Sequence, residues 1–222
     1  MAEPMVPEPK VFLVDELWER GIDFYSRKWF EPLPAGRVLG EKSTNYLESP
    51  EAAERACRAL PRVKLIFLLR NPVDRAYSNY LWSRQNGLET ETFKRALALE
   101  EQRERDLAPN LRYTRPNAYF ARGLYAEHLS CFYDRFPREQ ILVLRYEDVA
   151  TRPGSVAAAF HRFLGVSEMP ELARDLGPIN TTEASLREPM PKALRRQLAE
   201  RYRAANADLG ALLCSDFKAW NE

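Results

Sequence analysis

A chain of 222 residues is long enough to bury one sizeable core, and its 45% hydrophobic and 29% charged content reads as an ordinary globular protein rather than a disordered one. Thirty-three Lys+Arg against 32 Asp+Glu leave a formal net charge of +1, so no global field favours nucleic acid or an acidic membrane, and any anion site must be local. The three cysteines, Cys57, Cys131 and Cys214, are far apart and lack C-x-x-C spacing, which points away from zinc and from a disulfide framework and towards a reducing, cytoplasmic setting.

The first ten residues, MAEPMVPEPK, lack the basic start and apolar run of a signal peptide. Val11 to Phe30 is rich in apolar and aromatic residues, and Gly21 splits it into a helical turn and a second amphipathic stretch. Residues 31–36, EPLPAG, read as a turn, and RVLGEKS after it as a short strand leading into a loop. Ser49-Pro50 opens an alanine-rich helix that Pro61 stops. Val63 to Leu69 is a nearly continuous apolar run, the pattern of a strand covered on both faces of a parallel sheet, and is far too short for the ~20 apolar residues of a membrane span. Asn71-Pro72 caps the next helix, which Gly87 ends.

A charged helix is expected from about Glu91 to Arg105, then a loop bracketed by Pro109 and Pro116, then a helix over Tyr119 to Phe136. Ile141 to Arg145 is the second apolar strand, and Pro153 to Leu164 returns to helix. Residues 165–189 read as a long loop, and Leu194, Leu198, Tyr202, Ala205 and Leu209 mark a docking helix before Phe217 and Trp220. The alternation implies an α/β fold, taken as a single domain over 1–222. His128 and His161 fall in helical patterns and receive no role.

Arg70 stands where an apolar strand ends, and Arg75 and Ser78 follow on one face of the new helix. Ligands in open α/β sheets collect at strand carboxyl ends, and a helix start adds free N–H groups and a positive dipole end, so a phosphate suits the site. On spacing alone the two arginines could instead pair with Asp74, and Ser78 could bond back within its helix. Glu41-Lys42, at another strand end, could be a proton acceptor with a neighbouring ammonium or a plain surface pair.

Lys64 to Tyr80, KLIFLLRNPVDRAYSNY, resembles the 3'-phosphate-binding strand and helix of sulfotransferases that use 3'-phosphoadenosine 5'-phosphosulfate (PAPS), with Arg70, Pro72, Arg75, Ser78 and Tyr80 carrying the match. GEKSTNY resembles the E-K-[ST]-x-x-Y segment of the glycan-type members, heparan sulfate sulfotransferases among them. Arg122-Gly123-Leu124-Tyr125, the following FPREQILVLRYEDV and FLGV, and the DFKAW ending extend the likeness over most of the chain. The resemblance implies a P-loop NTPase-like three-layer fold with a parallel sheet. It implies PAPS as sulfuryl donor with no metal, Glu41 as catalytic base, and Lys42 as a contact for donor or acceptor. Arg70 and Ser78 would hold the 3'-phosphate, with Arg122 and Gly123 near the nucleotide. The acceptor would be a hydroxyl or amine of a carbohydrate or other small molecule, with Tyr46, Tyr80, Trp82, Tyr113 and Tyr119 available to line its site.

One departure stands out. The family's K-x-G-T-[ST] loop, which wraps the 5'-phosphosulfate, is not found in this sequence, so the first strand and phosphate loop are expected to be missing. That leaves open an enzyme, or a degenerate relative that binds nucleotide weakly or serves as an interaction module. The 177–192 stretch, with Arg187 and Lys192, is expected to cover the nucleotide.

Overall fold

The computed structural model describes residues 8–32, 36–169 and 189–222. Residues 177–188 of the expected covering stretch 177–192, Arg187 among them, therefore lie outside the described residues, while Lys192 is the first residue of the last α-helix. Two short helices, α1 (Asp15–Trp18) and α2 (Gly21–Phe30), open the chain, and Gly21 takes φ +80° where they meet. A 3-10 turn (Thr44–Glu48) leads to α3 (Pro50–Ala59), whose Ser49 cap accepts from Ala52 N at 3.0 Å. Strand β1 (Leu65–Leu69) then runs into α4 (Pro72–Gln85), and Thr92 caps α5 (Phe93–Asp106). After α6 (Tyr125–Tyr133) come β2 (Ile141–Arg145), α7 (Tyr146–Thr151), α8 (Pro153–Leu164) and the 22-residue α9 (Lys192–Leu213).

β1 and β2 pair in parallel, Leu65 opposite Ile141 and Leu69 opposite Arg145, and the long helical crossover between them is what parallel pairing requires. One sheet face, carrying Leu65, Phe67, Leu69, Ile141 and Val143, packs on α3, α6 and the C-terminal turn; the rings of Phe67 and Phe132 meet edge to face at 4.9 Å. The other face is less covered among the described residues, and Leu68 is 51% exposed. The continuous apolar run thus identifies the strand but not equal burial of its two faces.

Long α9 closes the molecule by laying Leu198, Ala199, Tyr202 and Leu209 at helical spacing against α4 and α6. Leu198 and Leu129 are fully buried, each contributing about 1.5–3 kcal/mol of hydrophobic stabilisation before entropy is subtracted. A buried carboxylate, Glu89, ties α5 to this layer. It accepts from Arg103 Nη1 at 2.7 Å, from the Tyr119 hydroxyl at 2.9 Å and from two backbone N–H groups, and these bonds overcome the cost of burial and hold its carboxyl below the usual range.

Three local expectations are corrected. Residues 37–43 form no strand and have no ladder partner among the described residues, and Val38 and Leu39 stay exposed, because strand propensity makes no strand where no neighbouring edge accepts its hydrogen bonds. The helix expected over Tyr119 to Phe136 is broken: a 3-10 turn (Ala121–Gly123) and Leu124 at ψ 60° precede α6. α7 was not foreseen, since YEDVAT after a strand carries too short a pattern to show helical periodicity.

Candidate functional site

The β1–α4 junction is built by cross-bracing. Tyr125 Oη donates to Arg70 O at 2.8 Å, and burial pushes that phenol up to about 12, so it stays a donor at any physiological pH. The Asn71 amide donates to Glu147 Oε1 at 2.7 Å, while Asn71 Oδ1 caps α4 by accepting from Val73 N at 2.9 Å and Asp74 N at 3.5 Å. Arg75 N bonds to Asn71 O. The helix-start amides expected to face a phosphate are therefore already satisfied by the cap, and an anion here would rely on side chains and the helix dipole.

Those side chains are available. The Arg70 guanidinium lies over the exposed Tyr146 ring, 5.1 Å from its centroid, and has no carboxylate partner among the described residues. Asp74, the acid that could have taken it, is held instead by a fork from Arg195 of α9 at 2.5 and 3.4 Å. Ser78 is half-buried two turns into α4, with no hydrogen bond from its hydroxyl among the described residues. Arg75 turns inward and donates to Tyr119 O, with its Nε buried and without a hydrogen-bond partner among the described residues. Of the pair considered from spacing, Arg70 is thus the ligand candidate and Arg75 an internal brace.

Glu41 lies on the irregular segment before the Thr44–Glu48 turn. Ser43 Oγ donates to its Oε2 at 3.1 Å and itself accepts from Lys10 N, and the Tyr25 and Tyr46 hydroxyls also bond to the carboxylate. Burial raises its carboxyl above the usual range; the three hydroxyl bonds oppose this, and the charge of Glu8 adds to it. A carboxylate held there is a stronger base than a surface glutamate while ionised. Lys42 does not pair with Glu41. Its ammonium bonds to Glu8 Oε1 at 2.5 Å and Thr44 Oγ1 at 2.7 Å, with the side chain 76% exposed.

Arg122 and Gly123 face inward rather than towards open space. Arg122 Nη1 donates to Asn79 Oδ1 at 3.3 Å and Nη2 to Thr114 O at 2.5 Å; Nε lies 3.0 Å from Glu48 Oε1 as a charge pair that is not aligned as a hydrogen bond. Burial pulls this guanidinium below its usual range, and Glu48 opposes the shift. At Gly123 an added Cβ would come within 2.7 Å of the Tyr202 ring and 2.8 Å of Pro72 Cβ, at the first residue of α4. Gly123→Ala is therefore expected to destabilise the fold by about 1–3 kcal/mol, measured as a lower denaturation midpoint. Arg122 and Gly123 are thus packed against Asn79, Thr114, Glu48, Tyr202 and Pro72, beside the start of α4 where the nucleotide is expected.

Sequence reasoning missed Tyr146 and Glu147, which reach Arg70 and Asn71 across the two strand ends, and Tyr25, which reaches Glu41 from α2. The signal for the first two was the Y-E-D directly after an apolar strand. Tyr25 offered none beyond its place in an amphipathic helix. Among the aromatics considered for an acceptor site, Tyr80 and Tyr119 are core residues, while Trp82 is 54% exposed.

The family model of the sulfotransferase domain matches residues 55–178, more than half of the chain. Mouse (Mus musculus) bifunctional heparan sulfate N-deacetylase/N-sulfotransferase 2 is 30% identical over 165 residues, covering 72% of this chain and 18% of that protein. Human (Homo sapiens) bifunctional heparan sulfate N-deacetylase/N-sulfotransferase 3 is 32% identical over 168 residues, with 72% and 19% covered. The chain thus corresponds to less than a fifth of the length of these relatives. The crystal structure of a sulfotransferase from Alicyclobacillus acidocaldarius superposes with a TM-score of 0.73 at 34% identity, over 91% of this chain and 75% of that one. With its parallel α/β core, its β1–α4 junction and these matches together, the chain belongs to the sulfotransferase family.

Proposed function

We propose that this chain transfers a sulfuryl group from PAPS to an amine or hydroxyl of a carbohydrate or other small acceptor. The observation that carries this reading is the Arg70 guanidinium at the end of β1, without a carboxylate partner among the described residues, followed on α4 by the Ser78 hydroxyl, which has no hydrogen-bond partner among those residues. A cation and a hydroxyl donor suit the 3'-phosphate that distinguishes PAPS from ATP-like nucleotides. Tyr146 packs beside Arg70 and fits an edge of that pocket.

When bound, PAPS supplies an activated sulfuryl group. The acceptor oxygen or nitrogen attacks sulfur as the bond to the bridging oxygen breaks, the nucleotide leaves as adenosine 3',5'-bisphosphate, and Glu41 takes the acceptor proton. Burial raises the pKa of that carboxylate, which suits a base, while the Tyr25, Ser43 and Tyr46 hydroxyls orient it at the cost of opposing part of the rise. Carbohydrate acceptors follow from the heparan sulfate N-sulfotransferase relatives and are part of the proposal.

The test is transfer of label from ³⁵S-PAPS to N-desulfated heparin, which offers amines, and to its N-acetylated form, which offers hydroxyls. Label in either polymer supports the proposal; label confined to the N-desulfated form assigns the amine, and label in both assigns hydroxyls. Adenosine 3',5'-bisphosphate binding without transfer to either would support the alternative of a nucleotide-binding relative without turnover. Folded protein that neither binds nor transfers overturns both.

A further inference from the structure

We propose that Arg122 is a positioning residue that ties the donor-binding helix to the base-bearing segment, so that binding at one is felt at the other. This rests on the reading of Arg70 and Ser78 as donor ligands and Glu41 as base. The 3-10 turn carrying Arg122 sends one guanidinium to both halves of the site. Nη1 reaches Asn79, the residue after Ser78 on α4, and Nε reaches Glu48, the end of the Thr44–Glu48 turn that follows Glu41. Nη2 bonds to Thr114 O, which also accepts from Asn45 Nδ2 at 3.4 Å within that same turn.

The far side is braced as well. Arg115 pairs with Glu48 at 3.3 Å and Glu104 at 2.6 Å, and its backbone is held at φ +39°, a left-handed conformation that a non-glycine residue keeps only when its surroundings over-determine it. Glu48 and Arg122 are only 8% and 12% exposed, so both charges are largely desolvated. Such a pair adds little net stability over well-packed apolar residues, and its value lies in fixing one relative placement of the parts it joins. Here those parts are α4 and the segment 41–48.

Asn79→Ala separates this role from a purely structural one, because it removes the arm to α4 while leaving Arg122 charge-paired with Glu48. Arg122→Gln removes all arms, and Glu48 keeps Arg115. Hydrogen exchange over 41–48 is measured with and without saturating adenosine 3',5'-bisphosphate, and affinity by calorimetry. In the unmodified protein the bisphosphate is expected to slow exchange of 41–48 by about fivefold or more. In N79A, and in R122Q if it folds, that slowing is lost while affinity changes by less than about threefold. Retention of the slowing in N79A, or its absence in unmodified protein that binds the bisphosphate, overturns the proposal. Failure of the unmodified protein to bind overturns the donor reading itself, which calorimetry reports separately.

Discussion

Replacing Arg70 by alanine is expected to weaken binding of adenosine 3',5'-bisphosphate roughly a hundredfold, a loss of about 3 kcal/mol, because it removes charge-assisted hydrogen bonds to a dianion. The fold should barely notice. Arg70 contributes its ring contact with Tyr146, and the braces that shape the junction come from its backbone carbonyl and from Asn71, which the substitution leaves in place. Stability should therefore change by under about 1 kcal/mol. Arg70→Lys should recover only part of the affinity, since an ammonium cannot offer the planar fork of a guanidinium. Titration calorimetry beside a denaturation curve checks both halves. An alanine variant that binds within about threefold of the unmodified protein would remove Arg70 from the site.

Replacing Glu41 by glutamine should have the opposite profile: bisphosphate affinity unchanged and turnover reduced about 10²–10⁴-fold, the usual worth of a positioned general base. The pH dependence has a definite sign. Burial raises the Glu41 carboxyl in the folded state, and a base works only when ionised, so turnover should rise as pH climbs through that raised value; the limb should be missing in the variant. Stability runs the other way. A carboxyl whose pKa is higher folded than unfolded contributes fully below its unfolded value, and that contribution is lost as pH rises through the folded value. Glu41→Gln, which never ionises, should melt higher than the unmodified protein at neutral pH, with the gap closing below about pH 4. Melting curves at the two pH values test this, and a variant that loses stability at neutral pH would mean the carboxylate is a structural tie.

Local chemistry explains how much could be read from residues alone. Both strands, the Ser49 and Asn71 caps and the docking helix were legible because each depends on short-range pattern: an apolar run, a capping side chain before proline, or a 3.6-residue stripe. Residues 37–43 misled because a strand needs a partner edge, which no property of Val38 and Leu39 reveals. The break before α6 depends on a close approach between Gly123, Tyr202 and Pro72, residues far apart in sequence. The site divides in the same way. Arg70, Ser78 and Glu41 are candidates from motif and placement, whereas the contacts around them come only from the fold: Arg195 holding Asp74, Tyr146 beside Arg70, and Tyr25 against Glu41. For Arg122 the motif could not reveal the Glu48, Asn79 and Thr114 partners that the fold supplies, because a guanidinium in a motif looks the same whether it meets a ligand or Glu48.

The central claim is a pocket for a 3'-phosphate at the end of β1, and the most direct measurement is a calorimetric comparison of adenosine 3',5'-bisphosphate with adenosine 5'-monophosphate on the unmodified protein. The bisphosphate is expected to bind at least about thirtyfold more tightly, about 2 kcal/mol, because only it carries the group that Arg70 and Ser78 would hold. Equal affinities, or no binding of either by folded protein, would contradict the claim.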